Sequence, residues 1–138
     1  IRFLKPHGAL YNQAQRRDET ARGVVAAAVA LGLPLLGQPG TPLESLARAA
    51  GLAFIPEGFP DRRYRPDGSL APRTDPDAVL APDELPANVR GLLVPRRVRT
   101  LCLHGDHPDA LANARRLRAI LDDLAIPVRP FSPIATES

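Results

Sequence analysis

Apolar and polar positions along the chain alternate between helical and strand-like spacing. Val24, Val25, Ala28, Val29 and Leu31 form one helical face behind Asp18, which stands at an N-cap position, and the pattern stops at Gly32. Thr41 caps the next predicted helix, with Pro42 at its first position, Leu43, Leu46 and Ala47 on one face, and Gly51 as its stop. A third helix is predicted over 83–94, weakened by Pro86 near its start. The fourth spans 108–124, with Leu111, Ala114, Leu117, Leu121 and Leu124 facing inward, opposite Asn113, Arg116 and Asp123. Short apolar runs at 1–4, 33–36, 52–55, 99–103 and 126–128 read as strands, most of them buried and bounded by Pro or Gly. The longest irregular segment, 57–81, is rich in Pro, Gly, Asp and Arg, and a loop of that length is usually functional or disordered. Residues 130–138 read as a tail.

Strands alternating with helices predict an α/β fold of parallel β/α units with right-handed crossovers. Five such units suit an open doubly wound sheet or part of a closed barrel. The dinucleotide fingerprint and the phosphate loop are both absent, since the single lysine, Lys5, precedes Pro6, and this favours the barrel. A barrel needs about 250 residues. The 138 residues, which contain no Met, are then expected to be the C-terminal part of a single β/α-barrel domain whose N-terminal half is missing.

Composition narrows the function classes. With 44% hydrophobic and 24% charged residues the chain can bury a core, and no apolar run reaches the roughly 20 residues of a membrane span. No signal peptide is evident, and a lone Cys102 suits a reducing, cytoplasmic setting without internal disulfides. The net charge is only +3, and six aromatic residues offer few stacking platforms, so no nucleic-acid partner is expected.

In parallel β/α architectures the chemistry sits at the C-terminal ends of the strands. Three predicted strands end in ionisable groups: Lys5, His7 and Tyr11 after the first, Glu57, Asp61, Arg62 and Tyr64 after the third, and His104 and Asp106 after the fourth. Lys5 is the only lysine beside seventeen arginines, and Lys, unlike Arg, can lose its proton when partly desolvated. Glu57, Asp61 and Asp106 are candidates for general acid–base work, and His7 and His104 for proton shuttling or oxyanion stabilisation. Arg62 and Arg73 flank the long loop and could clamp a carboxylate. Asp106, before Pro108, is equally placed to cap the helix that follows. His104, Asp106 and His107 superficially suggest a metal site, but their spacing is poor for ligands on one face. Cys102 lies inside an apolar run and is expected to be inert.

Three blocks carry a resemblance to a known family. Lys5-Pro-His-Gly-Ala-Leu-Tyr-Asn12, Phe59-Pro-Asp-Arg-Arg-Tyr64 with Pro66-Asp-Gly-Ser-Leu70 and Pro72-Arg73, and Cys102-Leu-His-Gly-Asp106 resemble the signature blocks of the LamB/YcsF family. Pro60 and Gly58 depart from its usual pattern, and its N-terminal blocks are not among these residues. The resemblance implies a variant TIM-like barrel, related to glycoside hydrolases and polysaccharide deacetylases. It implies hydrolysis of the lactam of 5-oxo-L-proline to L-glutamate, coupled to ATP, by a cytoplasmic 5-oxoprolinase in which this chain works with subunits B and C. Because these residues hold no phosphate loop, ATP activation is expected to belong to those partners or to be shared with them. By resemblance, Lys5 and His7 polarise the substrate, Asp61 and Asp106 activate water and move protons, and His104 belongs to the same catalytic set. Tyr11, Glu57, Arg62, Tyr64 and Arg73 shape the substrate pocket. The alternatives are a metal-dependent deacetylase-type hydrolase and a non-catalytic substrate-binding subunit; homo-oligomerisation is compatible with all three. The 138 residues alone are expected to be inactive.

Overall fold

The computed structural model describes residues 1–94, 97–106 and 108–130. Arg96, His107 and the predicted tail beyond Pro130 lie outside the described residues. The elements run α1 (Gly8–Ala14), α2 (Asp18–Leu31), β1 (Leu35–Gly37), α3 (Pro42–Ala49), β2 (Phe54–Gly58), α4 (Leu85–Leu93), β3 (Thr100–Leu101) and α5 (Ala110–Asp123). The strands order β1-β2-β3 in one sheet, and β1 pairs with β2 in parallel, as the α/β reading requires. Among the described residues no helix is long and apolar enough to cross a membrane. The chain divides into two compact units, one of Ile1–Glu57 with Val98–Thr100 and Pro130, the other of Gly58–Arg97 with Leu101–Arg129.

In the first unit, local signals set most of the boundaries. Thr41 Oγ1 accepts the Glu44 N–H to cap α3, and Gly32 ends α2 in the left-handed conformation (φ 62°) that a residue with a Cβ disfavours. Asp18 is not the N-cap but the first helical residue, where it and Glu19 lie in the positive first turn. Both strands begin two residues later than predicted, because the N–H groups of Leu33 and Leu52 turn back to the carbonyls of Ala28 and Ala47 and close the preceding helices. The predicted strand at 1–4 shrinks to a parallel bridge between Leu4 and Leu35, with Ile1, Arg2 and Phe3 exposed. The next donor along that edge would be residue 6, a proline, so the ladder cannot continue. Helix α1 is absent from the sequence reading: it has seven residues, and its N-cap His7 makes no capping bond.

One face of this sheet, bearing Leu4, Leu35 and Phe54, packs on Ala21, Val24, Val25 and Ala28 of α2 and on Leu43 and Ala47 of α3. Gly37 lies on that face, where an added Cβ would stand 2.9 Å from Leu43 Cδ2. By alternation, Leu36, Gln38, Ile55 and Glu57 belong to the opposite face, and all four are buried too.

The second unit has a core of Leu85 and Val89 from α4 with Leu117, Ile120 and Leu121 from α5. Helix α5 is rotated from its predicted setting: Asn113 is buried while Leu111 and Ala114 are exposed. At roughly 100° per residue, Asn113, Leu117, Ile120, Leu121 and Leu124 form one stripe, and Leu111 falls nearly opposite it. The predicted strand at 99–103 is reduced to Thr100–Leu101, and none forms at 126–128. There the Ile126 N–H turns back to Leu121 O behind Ala125 (φ 53°), and Val128 is exposed. The predicted loop 57–81 begins with the last two residues of β2 and is otherwise irregular but tied down, with antiparallel bridges Arg62↔Val79 and Tyr64↔Leu70.

Candidate active site

At the C-terminal end of the first unit's strands, Lys5 Nζ donates to Glu57 Oε1 at 2.5 Å. Pro6 directs the chain away after Lys5, and Glu57 stands on β2, so strand geometry fixes both backbones. The ammonium also lies 5.9 Å from the centroid of the buried Tyr11 ring, within reach of a cation–π attraction. Glu57 is only 2% exposed, and its Oε2 has no hydrogen-bond partner among the described residues. His7 is exposed and makes no bond to this pair.

Beside them lies a polar group that sequence reasoning missed. Gln38 follows β1, and its N–H donates to Gln15 Oε1 (3.2 Å), while Thr41 Oγ1 lies 2.8 Å from Gln38 O and 3.1 Å from Gln15 Oε1. Both glutamines are buried, and the Nε2 of each lacks an acceptor among the described residues. The only signal in the sequence is that a predicted buried strand runs directly into a glutamine, Leu35-Leu-Gly-Gln38.

In the second unit the long loop delivers Asp61 to His104. Asp61 Oδ2 accepts both the His104 backbone N–H (3.0 Å) and His104 Nδ1 (2.9 Å). Phe59 stacks on the imidazole at 5.6 Å between centroids. Burial pushes the Asp61 carboxyl up, but the side-chain and backbone hydrogen bonds of His104 outweigh it and hold the group below the usual carboxylate range. An ionised carboxylate only accepts, so Nδ1 carries the proton and, in the neutral ring, Nε2 carries the lone pair. His104 thus presents a base oriented by Asp61. Asp61 Oδ1 is buried without a partner among the described residues.

Arg62 and Tyr64, both expected at the substrate pocket, hold the loop. Arg62 is buried, and its Nε and Nη2 donate to Ala78 O (3.2 Å) and Ala71 O (2.6 Å), which braces the loop. Burial, with repulsion from Arg73, pulls its guanidinium below the ordinary value. Tyr64 Oη accepts the Phe59 N–H at 2.9 Å and so fixes the residue that stacks on His104. Asn88 of α4, another residue missed from sequence, donates to Pro60 O at 2.8 Å and clasps the same turn. Arg73 Nη1 donates to Asp106 Oδ2 on the surface, which holds Asp106 below the usual carboxylate range. Asp106 does not cap α5: the N-cap is Asp109, and it makes no side-chain capping bond. Neither aspartate retains a proton to give near neutral pH. Among the described residues no three His, Cys, Asp or Glu side chains gather as a metal site, and His107 lies outside those residues.

The profile of the LamB/YcsF family matches residues 1–136. The chain belongs to this family. Among its relatives, a protein named as the A subunit of 5-oxoprolinase, from Streptomyces griseus, is 42% identical, the match covering 96% of this chain and 59% of that protein. Another of the same name, from Methylococcus capsulatus, is 46% identical over 91% of this chain and 54% of its own length. A crystal structure titled Lactam Utilization Protein, from Thermus thermophilus, superposes with a TM-score of 0.81 at 37% identity and covers 95% of this chain and 58% of that one. The chain therefore spans a little over half the length of the LamB/YcsF relatives it matches.

Proposed function

We propose that the chain is the C-terminal part of a single TIM-like barrel domain in a cytoplasmic 5-oxoprolinase subunit. The whole enzyme hydrolyses the lactam of 5-oxo-L-proline to L-glutamate in an ATP-coupled reaction. The observation that carries this reading is the 42–46% identity, over more than nine-tenths of the chain, to proteins named as the A subunit of 5-oxoprolinase.

The side chains supply suitable parts. Water adds to the lactam carbon and gives a proton to His104 Nε2; the ring C–N bond breaks, and the proton passes to the departing nitrogen. Asp61 fixes the tautomer and ring orientation that this transfer needs. Asp106, kept ionised by Arg73, is an acceptor or a positioning group, and Lys5 and His7 remain candidates for polarising the substrate. The described residues do not fit a nucleotide's phosphates: Lys5 is engaged by Glu57, and no Gly-rich loop followed by Lys-Ser/Thr opens a helix. Nucleotide activation belongs to partners of the B and C type or is shared with them.

The test is ATP-dependent glutamate release by the whole protein assembled with those partners. His104→Ala should lower kcat by a factor on the order of 100 to 10,000 while the melting temperature stays close to the parent's. Full turnover in the variant would remove His104 from the chemistry, and no release from the unaltered assembly would remove the 5-oxoprolinase reading itself.

A further inference from the structure

Gln38 and Glu57 directly follow Gly37 and Pro56, which are paired in the parallel register. They therefore occupy neighbouring positions on one face of the sheet, on strands about 5 Å apart. Both are buried, at 5% and 2% exposure, and each leaves one polar atom without a partner among the described residues. The two atoms are of opposite kind. Gln38 Nε2 is a donor lacking an acceptor, and Glu57 Oε2 is an acceptor lacking a donor. A buried polar atom left unpaired costs free energy, so two of them on one face call for a reason. Lys5 takes Glu57 Oε1 and leaves Oε2 as the open oxygen, while Gln15 takes the Gln38 backbone N–H.

We infer that this face is a recognition subsite for the edge of a cis secondary amide: Gln38 Nε2 donates to the amide oxygen, and Glu57 Oε2 accepts from the amide N–H. A lactam ring forces C=O and N–H onto the same edge, whereas a trans peptide sets them on opposite edges. A carboxylate ligand lacks the donor that Glu57 requires, and an ammonium lacks the acceptor that Gln38 requires. The inference deepens the lactam-hydrolase reading and names the residues that select its substrate class.

Calorimetry on the whole protein without nucleotide tests it, with four probes: 5-oxo-L-proline, its N-methyl derivative, 2-pyrrolidinone and N-methyl-2-pyrrolidinone. N-methylation should weaken binding by a factor on the order of 100 or more, because it strands the buried carboxylate. Gln38→Leu should weaken binding of the unmethylated lactams about tenfold, and Gln38→Glu more. Equal binding of methylated and unmethylated probes overturns the subsite, as does undiminished binding by a folded Gln38→Leu protein or binding of no lactam at all. If Gln38→Leu fails to fold, the N-methyl comparison on the unaltered protein decides alone. The two readings fail separately. Gln38-dependent binding of 2-pyrrolidinone without glutamate release in the assembled enzyme keeps the subsite and removes the 5-oxoprolinase reading, whereas release of glutamate with no penalty for N-methylation does the reverse.

Discussion

The two units each bury a carboxylate, and they satisfy it differently. In the first, Glu57 stands on a strand and meets the charge of Lys5. In the second, Asp61 sits in an irregular loop and meets a backbone N–H and an imidazole that need not be charged. A buried ion pair is costly to break because the survivor is left charged in a poorly solvated place. A carboxylate–imidazole pair is cheaper to break, and its value lies in fixing the proton on one ring nitrogen. The first unit therefore carries a fixed charge contact, and the second an imidazole whose tautomer its carboxylate sets.

Neutralising each carboxylate should separate the two roles. Glu57→Gln should cost about 3–5 kcal/mol of stability in chemical denaturation, since it strands the Lys5 ammonium. Asp61→Asn should cost about 1.5–3 kcal/mol, the range for a hydrogen bond to a charged group, and should move the pH profile of turnover, because the imidazole loses its fixed tautomer. Equal stability costs with unshifted pH profiles would erase the distinction.

Acid sharpens it further. The folded Asp61 carboxyl titrates below its ordinary value of 3.8. Its contribution is therefore fully present above that value and is lost as the pH falls through the lower, folded one. The stability gap between the parent and Asp61→Asn should close over that acid range, and a gap that persists at the lowest pH would argue against a depressed Asp61. The smallest effect concerns Thr41, which caps α3 and also touches Gln38 and Gln15. Thr41→Ala should cost about 1 kcal/mol and weaken lactam binding slightly, whereas a stability loss with unchanged binding would confine Thr41 to capping.

What was legible in the sequence was local. The Thr41–Pro42 start of α3, the Gly32 end of α2 and the helix after Pro108 are written in short-range chemistry that does not depend on the rest of the chain. The three signature blocks likewise carry Lys5, Asp61 and His104, and Glu57 stands at a predicted strand end. The misplaced features depend on distant partners. Which face of α5 is buried follows from what α4 offers it, so Asn113 goes in and Leu111 stays out.

The sequence by itself determined the α/β class, the end of α2, the start of α3 and the residue types available for chemistry, because capping, periodicity and turn preference act over a few residues. Only the tertiary structure decided which of those residues meet. Lys5 finds Glu57 across 52 positions, Asp61 finds His104 across 43, and Arg62 turns to loop carbonyls instead of solvent. Such pairings follow from strand register and loop closure, which no local pattern encodes.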